Sequence, residues 1–83
     1  MVIKMSNTDA IIKNIIAEIL EVSVDDINDD LAIGDIVEWD SIHHLQIISA
    51  IEKEFGFSFT PDVMLELETV SDIVYATEAR VNK

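Results

Sequence analysis

Cysteine is absent from the chain, which removes disulfide frameworks, thiol nucleophiles and redox pairs and leaves stability to packing alone. Glycine and proline are nearly absent as well, at two residues and one. With 49% of the residues hydrophobic, that scarcity fits a folded, helical domain and not a disordered acidic tail. Basic residues are few, five against seventeen acidic ones for a formal net charge of -12. Such a field repels phosphate backbones and anionic lipid headgroups and favours basic protein surfaces, so nucleic acid is not an expected partner. Long apolar runs are missing too. Asp9, Lys13, Asn14 and Glu18 interrupt the opening segment, so neither a signal peptide nor membrane insertion is expected, and the cytoplasm is the default location. The length of 83 residues allows one small domain over 1–83, its core at about 8–81, and no second core.

What is present is helical periodicity. Residues 1 to 6 read as a loose lead-in, after which Asn7 or Thr8 could cap a first helix with Asp9 in its first turn. Ile11, Ile12, Ile15, Ile16, Ile19 and Leu20 form one broad stripe, opposite Lys13, Asn14, Ala17, Glu18 and Glu21. The acidic stretch "VSVDDINDDLAIGDIVEWD" lacks periodicity and predicts a long connection with a short turn around Asp25 to Ile27. Val22, Val24, Ile27, Leu31, Ile33 and Ile36 could anchor it as an ordered loop.

A second helix is expected from Asp40 to about Phe55, ended by Gly56. Its wheel carries two apolar faces: His44, Ile47, Ile48, Ile51 and Phe55 on one, and Ile42 and Leu45 with Ser49 and Glu52 on the other. The alternation of Phe55, Phe57 and Phe59 mimics a strand, but such a strand would have no pairing partner, so Phe57 and Phe59 are read as core plugs. A short turn begins near Thr60 and Pro61, with Val63, Met64, Leu65 and Leu67 helping to close the core. Thr69 with Asp72 starts a last helix carrying Val70, Ile73, Val74, Thr77 and Val81. The fold class is all-α, a small four-helix bundle with three longer helices, a short third one, and a long loop between the first two.

Within "EWDSIHHL" (Glu38 to Leu45), serine, aspartate and histidine invite a hydrolase reading. It fails on spacing. There is no Gly-x-Ser-x-Gly elbow, Asp40 adjoins Ser41 and cannot sit beyond a histidine to orient it, and His44 falls roughly behind the face carrying Ser41. No metal site is expected either. Adjacent His43 and His44 diverge by about 100 degrees on a helix, and a calcium loop counted from Asp26 puts Leu31 at the glycine position and Val37 at the closing acid. Ser41 instead stands at a helix start, beside the outward pair Ile42 and Leu45, within a rim of Glu38, Asp40 and Glu52. An apolar centre with an acidic edge is a docking surface, and a serine there is well placed for another protein to modify.

The stretch "DSIHHLQIISAIEKEFGFSF" resembles the second-helix region of acyl and peptidyl carrier proteins, and the order of the other segments resembles that family over the whole chain. The resemblance implies a bundle of acyl-carrier type and a covalent 4'-phosphopantetheine arm, donated from coenzyme A, on Ser41. It implies an acyl carrier holding intermediates as thioesters for fatty acid, polyketide or other specialised synthesis, with no catalysis of its own. The implied partners are a phosphopantetheinyl transferase, a loading enzyme and a downstream synthase or transferase with basic docking surfaces, met by a monomer. Trp39 resembles stand-alone carriers and joins Glu38, Asp40, Ile42, Leu45, Ser49 and Glu52 as the expected partner surface. His44, Ile47, Ile48 and Ile51 are the candidates for a cargo cavity. His44 departs from the small residue of fatty-acid carriers, and neutral Gln46 from their acid, which points to a smaller, more polar or less deeply sequestered cargo. An aminoacyl, D-alanyl or peptidyl carrier is one alternative; an unmodified acidic adaptor is another.

Overall fold

A computed structural model describes residues 7–81, so the lead-in expected over 1 to 6 lies outside the described residues. The elements are α1 (Asn7–Leu20), a 3-10 turn (Val24–Asp26), α2 (Ser41–Phe55), α3 (Pro61–Met64) and α4 (Val70–Val81). They form a small all-α four-helix bundle in which α1 packs against both α2 and α4.

The stripe of α1 is narrower and turned relative to the expectation. Ile12, Ile16 and Leu20 are buried and Ile15 and Ile19 only partly, while Ala17, assigned to the polar side, is buried. Ala17 flanks the Ile12, Ile16, Leu20 row on the wheel, where a small side chain fits under a neighbouring element. Asn7 and Thr8 lie inside α1 and not ahead of it. Glu21 ends the helix at a φ of 59°, a left-handed conformation usually left to glycine, and the Val22 amide then donates to the Ala17 carbonyl at 3.0 Å.

The long connection is held by its apolar residues, with Val22, Ile27, Leu31, Ile33 and Ile36 in or against the core as expected, and by hydrogen bonds. Ser23 caps the 3-10 turn and Ile27 is buried behind it, whereas Val24, expected as an anchor, is exposed. Further on, Ala32 pairs with Thr69 as an antiparallel bridge. The Ile33 amide donates to Glu68 and the Val70 amide to Leu31, both at 2.9 Å, and Ser71 reaches Asp29. Lys13 adds an ion pair to Asp29 at 3.0 Å and one to Asp9 at 3.5 Å.

The second half follows its caps. The Asp40 side chain accepts from the His43 amide, and Gly56 at a φ of 78° closes α2. Phe57 and Phe59 meet edge to face at 4.8 Å with no strand there. Phe59 is buried, and Phe57 lies under the Arg80 guanidinium, 5.1 Å from its ring centre. Thr69 and Asp72 exchange backbone-to-side-chain bonds at 3.0 and 3.3 Å to start α4. Leu65 corrects the sequence reading: expected in the core, it is 82% exposed, because the four-residue α3 ends one position earlier.

Thr77 is fully buried, and its hydroxyl has no hydrogen-bond partner among the described residues. A buried, unpaired hydroxyl opposes folding, and valine keeps the shape without the polar atom. Thr77→Val should therefore stabilise the domain by about 1 kcal/mol, read as a higher urea midpoint at unchanged slope.

Candidate functional site

The site is built where the long connection meets α2. The Gly34 amide donates to the Trp39 carbonyl at 2.8 Å and the Trp39 amide to Ile36 at 3.1 Å, so the chain folds back and drives Trp39 inward. Trp39 is 0% exposed. That corrects its assignment to the partner surface: the indole belongs to the core, and a partner cannot touch it. Its Nε1 donates to Nδ1 of His44 at 3.0 Å, and the rings sit 5.8 Å apart with a 31° tilt. Because an indole N–H only donates, Nδ1 must be the bare nitrogen, and the neutral ring carries its proton on Nε2.

Asp40, the residue between this anchor and Ser41, does the capping. Its Oδ1 accepts from the His43 amide at 2.9 Å and lies 2.7 Å from His43 Nδ1. The His43 amide, and then the His43 ring, hold the Asp40 carboxyl below its usual range. Ser41 is thus the first helical residue, exposed, and its hydroxyl makes no hydrogen bond among the described residues. The first amides of a helix lack intrahelical acceptors, and with His43's taken by Asp40, those of Ser41 and Ile42 remain at the helix mouth.

Ser41 stands on the lip of an apolar groove of about 430 Å³. One wall is α2, through Ser41, His44, Leu45 and Ile48; the other is Pro61, Met64 and Leu65, with Ile33 of the long connection at one end. His44 shares this groove with Ser41, contrary to its expected place behind the serine's face. Of the four cavity candidates only His44 and Ile48 line it. Ile47 and Ile51 are fully buried in the core instead, because on the helix wheel they fall to one side of the strip made by Ser41, His44, Leu45 and Ile48.

Around the lip, Ile42 and Leu45 are 66% and 64% exposed, and Glu38 and Ser49 are exposed as well. Glu52 is half-buried and accepts from the Phe59 amide at 2.7 Å through Oε2. It lies eleven residues beyond Ser41, about 16 Å along the helix, and so marks the far end of the surface. Val37, 88% exposed, extends the apolar patch on the near side. Sequence reasoning passed over Val37, Ile33, Pro61, Met64 and Leu65 as site residues. For Val37 the only signal was its position two residues before the buried Trp39. No group of three or more His, Asp or Glu side chains among the described residues could hold a metal ion, and no described helix is long and apolar enough to cross a membrane.

Burial pushes the His44 imidazole below its ordinary value of 6.5, with the Leu67 backbone acting weakly the other way. Unfolded chains therefore bind a proton at this residue before folded ones do, and stability falls as the pH drops through about 6.5, until the folded ring also protonates. The Asp40 contribution has the opposite origin and a separate window, present above its ordinary 3.8 and lost as the pH falls through its lower folded value. Urea midpoints taken from about pH 7.5 to about pH 5 should decline for the wild type, and His44→Gln should flatten that decline.

The site presents an exposed serine hydroxyl at a helix mouth beside an apolar groove, without a hydrogen-bond partner among the described residues. Comparison with known families gives one match. The family described as "Phosphopantetheine attachment site" matches residues 10–76, which takes in all of α2 and α3, the long connection and most of α1 and α4. The chain belongs to the phosphopantetheine-attachment family, as a phosphopantetheine-binding carrier of the acyl and peptidyl carrier type.

Proposed function

We propose that this chain is an acyl carrier whose Ser41 bears the 4'-phosphopantetheine arm, in the service of a specialised biosynthetic route. The observation that carries the reading is the position of Ser41, exposed at the first turn of α2 and on the lip of an apolar groove, in a chain of this family. Ser41 Oγ attacks the phosphorus of coenzyme A that bears the pantetheine arm; the pyrophosphate bond breaks, adenosine 3',5'-bisphosphate leaves, and the Oγ proton passes to a base of the modifying enzyme. Among the described residues neither histidine is hydrogen-bonded to the Ser41 hydroxyl: His44 gives Nδ1 to Trp39, and His43 turns Nδ1 to Asp40.

The Ser41 and Ile42 amides and the dipole of α2 favour the negative charge of a phosphodiester at that hydroxyl. When bound, the arm supplies a thiol that carries the acyl group as a thioester. The groove gives the apolar part of such a cargo a place out of water. Ile42, Leu45 and Val37, edged by Glu38 and Asp40, form the surface that basic partner enzymes meet, and the net charge of -12 speeds those encounters without requiring tight binding. The cytoplasm, where coenzyme A is at hand, is the setting this reading implies.

Incubation with coenzyme A and a broad-range phosphopantetheinyl transferase should raise the intact mass by one arm, and Ser41→Ala should abolish the gain. An unmodified wild type would leave the acidic-adaptor reading in its place. Leu45→Glu should slow acyl transfer to a partner while changing the free energy of urea unfolding by no more than about 0.5 kcal/mol, as for an ordinary surface change.

A further inference from the structure

Among the residues lining the groove beside Ser41 is an imidazole, His44, that the core holds in place. Behind His44 lies the indole of Trp39, 0% exposed, whose Nε1 donates to His44 Nδ1 at 3.0 Å. Swinging His44 aside would leave a fully buried N–H without an acceptor, a state folded proteins avoid. Of the groove's lining residues, His44 is the one tied to the core by a directional side-chain bond; Leu45, Ile48, Met64 and Leu65 are flexible or simply packed. Past it, Ile47 and Ile51 are fully buried and take no part in the groove.

We infer that His44, latched by Trp39, is a chain-length stop: a cargo held at Ser41 lies along the surface groove between α2 and α3 and does not enter the core. The inference rests on Ser41 being the attachment residue. The cargo class it selects is a short apolar acyl group that lies against Leu45, Met64, Leu65 and Ile48, while the tail of a longer chain stays in solvent. His44 acts by filling the path, and Trp39 is a positioning residue that keeps it there.

The test uses whole protein charged by a transferase from acetyl, butyryl, hexanoyl, octanoyl and decanoyl coenzyme A, with intact mass establishing the load on each sample. Thermal midpoints of the wild type should rise along the series and then level off, so that octanoyl and decanoyl forms melt together. In His44→Ala the rise should continue through decanoyl. Trp39→Phe, which keeps a ring but removes the donor, should shift the plateau the same way by a smaller step; a merely structural role would lower every form equally and leave the plateau where it was. A second measurement needs no variant. In the decanoyl wild type, nuclear Overhauser contacts from the terminal methyl should be absent from Ile47 and Ile51, and their presence would overturn the stop. Loaded protein with no plateau overturns the stop alone, whereas unchanged mass overturns the attachment reading together with it.

Discussion

The hydrogen bond from the Trp39 indole to His44 fixes where α2 begins. Burying an indole removes a large apolar surface from water, but its N–H must find an acceptor, and the acceptor here stands on the second turn of the helix that follows. Satisfying it brings the end of the long connection and the start of α2 to one place. Asp40 and Ser41, the residues directly after the tryptophan, then have little choice. Asp40 caps the helix, and Ser41 is pushed to the surface at its mouth. The position of the Ser41 hydroxyl is a consequence of how a neighbouring side chain is buried.

The contacts around Ser41 give the two histidines different surroundings. His44 turns Nδ1 to the buried indole, and His43 turns Nδ1 to the Asp40 cap, which leaves its Nε2 as the acceptor of the neutral ring. Neither ring is hydrogen-bonded to the Ser41 hydroxyl among the described residues. The aspartate that adjoins the serine thus spends its carboxylate on the helix start and on the neighbouring imidazole.

Helices were legible where the apolar period was long and unbroken. The stripe of α1, the two faces of α2, the glycine stop at Gly56 and the Thr69 and Asp72 cap all follow from spacing and local chemistry, and the outward exposure of Ile42 and Leu45 follows from the wheel. The rest was hidden for physical reasons. Trp39 lies outside any periodic segment, so no wheel assigns it a side, and its burial depends on the turn closed by Gly34. Leu65 follows a single helical turn, too short to define a face. Pairing of Leu31 and Ile33 with Glu68 and Val70 uses backbone atoms, which leave no mark on the residue types. Ser41 itself could be singled out as an exposed serine at a helix start, but the groove beside it could not, because half of its wall comes from residues some twenty positions later.

The small antiparallel bridge between Ala32 and Thr69 closes the stretch carrying α2 and α3 into a ring. A ring of this kind has a limited circumference. The backbone clasp ties the residues just before α4 to those that lead into α2. Met64 and Leu65, which line the groove beside Ser41, belong to the softer part of the structure and can change rotamer quickly and at little cost. A carrier built this way joins a hydrogen-bonded base to adjustable walls, so that the groove can alter its lining without altering the backbone beneath it.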